Sequence, residues 1–256
     1  MNLKQKNKRS KKKDSINWGI LFFEVIGWIV AAGMLLGIYN SNKTISVILE
    51  SKPIHQLTAD TTGIVRIEGH VTSENVNTEQ GILRHSYALI QKEVFKWRCS
   101  RSCDYKLEQG AAPIVSGSIS VNGIEVKADQ YTFYKDWLPL DNGTIEPDQL
   151  YRIYEGGTSR PLLVEEHEST AYGYRTVSSG EWITLVGNAV NGRVEAFSIL
   201  KNEGPTVLIG INIEQMVAKE REARTLYIIV AILAMLILSP VMIRRLRRRY
   251  VIKKKV

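Results

Sequence analysis

Cys99 and Cys103 are the only cysteines of the chain, with three residues between them and just after Trp97. Outside the cytoplasm such a pair could close a tight disulfide loop. Free thiols remain open, as does a metal site. A metal would need two more ligands, and His70 and His85 are nearest in sequence. The four histidines, His55, His70, His85 and His167, show no ligand spacing. Glu165-Glu166-His167-Glu168 reads as a solvated charge run able to hold a cation weakly. No serine occupies a nucleophile elbow, and no glycine-rich phosphate loop precedes a helix. No catalytic, cofactor or metal residues are therefore expected, and the chain reads as a non-enzyme.

Two apolar spans dominate the rest. Residues 16–39 and 226–243 each lie beside a block of positive charge. Fifteen of the 34 basic residues sit in the tails, seven before Asp14 and eight after Ile243, with no acid among them. That leaves 19 basic against 26 acidic residues in between, a net charge of −7. The overall charge of +8 is thus no nucleic-acid footprint, and no nucleic-acid partner is expected. Short basic flanks stay cytoplasmic, so both termini are expected inside and the central part extracytoplasmic or luminal. In a prokaryote that means the cell membrane; in a eukaryote, the endoplasmic reticulum or nuclear envelope. The tails would touch anionic lipid headgroups.

Within the first span, Glu24 is the one charged residue. An intramembrane acid is costly and often functional. It could pair with a partner helix or pass a proton, or reach toward the cytoplasmic headgroups. Gly33 and Gly37 form a G-x-x-x-G step that permits close helix packing. Tyr39-Asn40-Ser41-Asn42 follows in place of an A-x-A-like cleavage site, which favours an uncleaved anchor. Ser239-Pro240 interrupts the second span, and neighbouring groups must satisfy the freed carbonyl.

Between the spans the pattern is mostly β. Residues 43–57 form a short amphipathic segment ended by Pro53. Alternation predicts a strand over 64–71, apolar points at Tyr87, Leu89, Val94 and Trp97 suggest one over 86–97, and 182–190 reads as the clearest strand of the second half. Asn122-Gly123 and Asn191-Gly192 are two-residue hairpin turns, the second returning through 193–200. Residues 131–137 read as an aromatic strand, 162–164, 172–177 and 207–209 as short strands, and 72–81 and 139–161 as connections. Residues 64–71 and 183–190 echo each other, which admits a duplicated β unit. Residues 213–224 are a charged helix continuing into the second span. Asn42 and Asn142 lie in glycosylation acceptor triplets, and Lys253-Lys254-Lys255-Val256 resembles a dilysine retrieval signal.

The order of these segments carries a resemblance. Leu89 to Trp97, Tyr131 to Trp137, Trp182 to Val190, Gly192 to Ser198 and the charged helix before a span are together similar to the LUMA family of membrane proteins, across roughly residues 15–240. The resemblance implies a scaffold or membrane organiser and supplies no catalytic residues. Family members carry several spans after the domain, whereas this chain has one. The intermembrane domain of GIDE-type ubiquitin ligases shares the two-span layout. Their RING domain needs Cys and His ligands, and the 13 residues after Ile243 contain neither, which excludes ligase activity for this chain alone.

The sequence therefore predicts a membrane protein with two transmembrane helices flanking a β-rich α+β extracytoplasmic domain. Its parts are a basic tail 1–15, a helix 16–39, the domain 40–211, a charged juxtamembrane helix 212–225, a helix 226–243 and a basic tail 244–256. The expected function is scaffolding through protein contacts, with a ligand-sensing module signalling through the second span as the alternative. Expected partners are membrane lipid and a membrane or envelope protein, with homo-oligomers allowed. Phe95, Trp97, Tyr131, Tyr134 and Trp137 are the candidate contact residues, although core packing competes for at least half of them.

Overall fold

In a computed structural model, residues 18–74, 82–99, 102–108, 110–141, 143–146, 151–154, 160–165, 169–200 and 204–253 are described. The tail 1–15, Asn142, Glu166, His167, Glu168 and Lys254 to Val256 lie outside them, as does most of the connection 72–81. The fold is mixed α+β, with an N-terminal helix, a β-rich body and a C-terminal helix. The chain divides into two compact units. One comprises 1–39 and 223–256, the other 40–222.

Helix α1 runs Trp18–Glu50 without a break. The helix thus carries the first span and the start of the amphipathic segment, and it ends at Glu50, ahead of Pro53. No glycine or proline interrupts residues 38–50, so the helix passes through Tyr39-Asn40-Ser41-Asn42. Ser51 ends it, its Oγ donating to Ile48 O at 2.6 Å. The strands follow in order: β1 Lys52–Pro53, β2 Gly63–His70, β3 Leu89–Cys99, β4 Cys103–Leu107, β5 Ile114–Gly117, β6 Ile119–Val121 and β7 Ile124–Lys127. Then come β8 Tyr131–Phe133, β9 Tyr151–Tyr154, β10 Leu162–Glu165, β11 Thr170–Val177, β12 Trp182–Val190, β13 Arg193–Glu195 and β14 Val207–Gly210. Helix α2 closes the chain over Ile213–Lys253. The Oδ1 of Asn212 accepts Gln215 N–H at 2.8 Å, an N-cap that satisfies an orphan donor of the first turn.

The strands make two sheets. The first is ordered β1-β2-β12-β13-β7-β6, and β14 pairs with both β12 and β8. Its end returns on its beginning through the antiparallel bridge Val71↔Val121, so the sheet curls into a ring. Val65, Ile67, Ile183, Leu185, Val194, Val207 and Ile209 fill it, all fully buried. Both Asn-Gly pairs form the expected turns. Asn122 and Gly123 have φ of 52° and 79°, and Asn191 and Gly192 of 50° and 78°. These left-handed values at both central positions match the twist of the flanking strands. The second sheet is ordered β4-β3-β11-β10-β9, with β5 also on β3.

Three strand expectations change. Only Tyr131–Phe133 of 131–137 is strand. The connection 139–161 contains β9, which pairs with β10. The echo is not a repeated unit. β2 and β12 pair with each other antiparallel, from Trp182↔His70 to Ala189↔Gly63. After β2 the chain leaves for the other sheet, whereas β12 turns directly into β13.

Candidate functional site

The segment 131–137 is the junction of the β body, and its alternation explains how. β8 pairs in parallel with β14, so Tyr134 N–H donates to Ile209 O at 2.7 Å. The backbone groups of Tyr131 and Phe133 and the side chains of Lys135 and Trp137 face the second sheet. Tyr131 N–H donates to the side-chain Oε1 of buried Gln91 on β3, at 3.0 Å. Arg175 Nη1 on β11 donates to Phe133 O at 3.3 Å and Lys135 O at 3.0 Å. Lys135 Nζ donates to Thr176 O at 3.0 Å and pairs with Glu181, whose other oxygen accepts Ser178 N–H at 3.0 Å. Trp137 lies on Gly173, where an added Cβ would meet the indole ring at 2.6 Å.

Even-numbered residues face elsewhere. The hydroxyls of Thr132 and Thr206 lie 2.9 Å apart. Tyr134 Oη donates to Glu220 on α2 at 2.7 Å, and Lys219 donates to Asp136 at 2.9 Å. The segment is thus a strap between the second sheet and the first turns of α2. Beyond Phe133 it bends at Lys135 and leaves the ladder; Arg175 Nη1 holds Lys135 O, and Tyr174 O on β11 accepts Leu138 N–H at 2.8 Å.

Under the strap, the odd face of β3 and β11 carries charge. Arg175 Nε lies 3.5 Å from Glu93 Oε1, a diagonal cross-strand pair, and its guanidinium stacks 4.1 Å from the Trp137 ring centroid. Burial pulls the Arg175 pKa down, and the charge of Glu93 opposes this. Beside the pair opens a cavity of about 250 Å³, lined by Gln91, Glu93, Leu107, Pro113, Thr132 and Arg175 among others. Tyr131 also lines it, and burial, aided by the Asp129 charge, pushes that phenol's pKa up to about 12.

The predicted contact aromatics separate into two groups. Phe95, Tyr131 and Tyr134 are corrected: they are core residues, 1%, 3% and 6% exposed. Phe95 packs in the second sheet's cluster, Tyr131 in the ring and Tyr134 against Met216 and Val217 of α2. Trp137 is half-buried between Phe95 and Arg175. Trp97 is 42% exposed, at the open end of a three-ring cluster with Tyr105 at 4.8 Å and Tyr154 at 6.1 Å. Beyond it, Cys99 and Cys103 are joined in a disulfide across the β3–β4 hairpin.

His55, His70 and His85 are exposed, and His70 Nδ1 lies 2.8 Å from Gly180 O. Among the described residues no group of three His, Cys, Asp or Glu side chains could hold a metal.

In the helical unit, Gly33 is corrected as a packing residue: a Cβ there would meet open space. Gly37 does pack: a Cβ added there would meet the Tyr227 ring at 2.9 Å, and one added at Gly27 would meet Leu238 at 2.6 Å. Glu24 and Ala31 are buried on the same side. The residues Glu24, Gly27, Ala31, Met34 and Ile38 are spaced by three and four, the seam of 3-4 helix packing. The G-x-x-x-G step missed that seam because Gly33 falls on the opposite face. What could have found it is the heptad spacing read through Glu24.

The strap itself had only an aromatic composition as signal. Its partners Gln91, Thr176, Arg175, Glu181, Lys219 and Glu220 are scattered through the sequence. No protein-family model, no curated protein and no solved structure matches the chain.

Proposed function

We propose that this chain is a non-enzymatic, membrane-anchored scaffold whose β domain binds a protein partner outside the cytoplasm. Helix α1 is long and apolar enough to cross a membrane. On α2, Leu226, Ile229, Leu233, Leu236 and Ile237 are at least half exposed, up to 73% for Ile237. An apolar helix surface of that kind suits hydrocarbon and supports a second span over 226–243. The basic flanks support cytoplasmic termini. The LUMA resemblance supports the organising role.

The observation that carries the reading is the strap. Tyr134 and Asp136 tie the β body to Glu220 and Lys219, and α2 continues unbroken from there into the apolar stretch. These ties fix the first turns of α2 to the β body, and that attachment is what supports the scaffold reading. Crosslinking mass spectrometry in intact membranes tests it. Reproducible crosslinks from 40–222 to one partner, or to a second copy, are expected. Intrachain crosslinks alone would sink the reading.

The second reading is a sensor signalling through α2. The cavity favours it, because β8 lines the cavity and leads directly into Tyr134 and Asp136. A ligand there would then alter the pairing of α1 with α2, readable as a change in crosslinking between cysteines introduced at Gly37 and Tyr227.

A further inference from the structure

The cavity has an unusual wall: the free edge of a strand. Among the described residues β8 pairs only with β14, in a parallel register of Val207↔Tyr131, Leu208↔Thr132 and Ile209↔Phe133. Val207 N–H donates to Gln130 O, and Tyr134 N–H donates to Ile209 O. In a parallel pair the backbone groups of alternate residues point to opposite sides. Thr132 therefore faces β14, and the N–H and C=O of Tyr131 and Phe133 face the cavity side. Two of these four groups are already held by side chains. Gln91 takes Tyr131 N–H, and Arg175 takes Phe133 O. The other two, Tyr131 C=O and Phe133 N–H, carry no hydrogen bond to a described residue.

That remaining pair has a defined complement. One extended peptide residue placed opposite Thr132 donates its N–H to Tyr131 C=O and accepts from Phe133 N–H. Such main-chain pairing at an open edge is how β-augmenting domains take a peptide. The neighbouring walls suit the same guest. Glu93 and Arg175 offer one charge of each sign, and Leu107 and Pro113 offer apolar contact. A volume of about 250 Å³ lies just below the range of roughly 300–1,000 Å³ that holds drug-sized ligands. It matches a short extended segment of a few residues.

We propose that the cavity is a docking site for a short extended peptide segment of the partner, added as a strand to the free edge of β8. This rests on the reading of the domain as a protein-binding module and says what it would bind.

The test uses the full chain in lipid nanodiscs and a pool of capped tetrapeptides, with amide hydrogen exchange as the readout. The pool is expected to slow exchange of Phe133 N–H by about tenfold. Ala111, exposed at the cavity mouth, separates occupancy from folding. Ala111→Trp fills the mouth and should abolish the protection, while Ala111→Ser should keep it. Unchanged exchange in the parent chain, or equal protection in Ala111→Trp, overturns the site. Partner crosslinks in membranes that persist undiminished in Ala111→Trp overturn the site and leave the scaffold standing. Absence of any partner crosslink in the parent chain removes the scaffold reading itself.

Discussion

The helical unit and the β body put their large apolar residues in opposite places. In the β body Ile67, Leu89, Ile183 and Leu185 are at most 1% exposed, and charge lies outside. In the helical unit Phe22, Ile29, Leu35, Leu36 and Ile237 are 61–73% exposed. Its seam is made of Gly27, Ala31 and Gly37, with Glu24 among them. The first arrangement minimises apolar surface in water. The second would be unstable in water and suits a hydrocarbon solvent, where side chains as greasy as lipid gain nothing by pairing and close backbone approach decides association. The same residue types thus follow different rules within one chain, because the proposed solvent differs.

That contrast breaks if apolar truncations act alike in both regions. Ile67→Ala should cost about 2–5 kcal/mol in denaturant unfolding of the β body, by lost transfer and a cavity. Leu36→Ala should leave that transition unmoved. An equal loss in both would end the comparison.

Alkaline pH sharpens it from the side of burial. Tyr131 ionises near pH 12 in the folded body and near 10 when unfolded. The neutral phenol is favoured by folding, so stability is constant below pH 10 and falls as pH rises from 10 to 12. The fall should approach about 3 kcal/mol. Unfolding monitored by near-ultraviolet circular dichroism should show it, and Tyr131→Phe should remove the steep part. A parent chain and variant with the same alkaline profile would refute the assignment.

Reduction of the Cys99–Cys103 disulfide comes next. A loop this short restricts the unfolded chain little, and the expected loss is about 2 kcal/mol. It should appear in the β body's unfolding midpoint under reductant, with helix pairing unaltered.

For the helices, Gly37→Val should weaken pairing by about 1–2 kcal/mol, since its Cβ enters the Tyr227 ring, while Gly33→Val is silent. Equal effects at the two glycines in a detergent association assay would reject the seam. Smallest are the ties of the strap. Tyr134→Phe should cost about 1 kcal/mol. Lys219→Ala should cost less, because Asp136 is 93% exposed and its ion pair is screened by water.

Local signals were legible where a short stretch is enough to specify geometry. The two Asn-Gly turns need left-handed backbone at adjacent residues, and few sequences supply it. β12 is an apolar run bounded by turns and buried along most of its length, and α2 declares itself by the charged run 213–224. The strap was legible only as an aromatic run. Its role depends on Gln91, Arg175, Glu181 and Glu220, up to 86 residues away, and no local period encodes such distances. For the same reason Phe95, Tyr131 and Tyr134 looked like surface candidates and proved to be core. An aromatic side chain is equally at home in either place until its neighbours are known.

By itself the sequence determined what hydrophobic length, charge asymmetry and turn chemistry can decide: a helix long enough to cross a membrane, a β-rich centre, its hairpins and the paired cysteines' reach. The tertiary structure alone decided that β2 and β12 are partners and not copies. It decided that Gly27 and Gly37 form the seam, and that 131–137 binds sheet to helix and leaves an open strand edge over a cavity. The physical reason is that local backbone preference extends over a few residues, whereas packing selects among faces that are equivalent in sequence and differ only in what they meet.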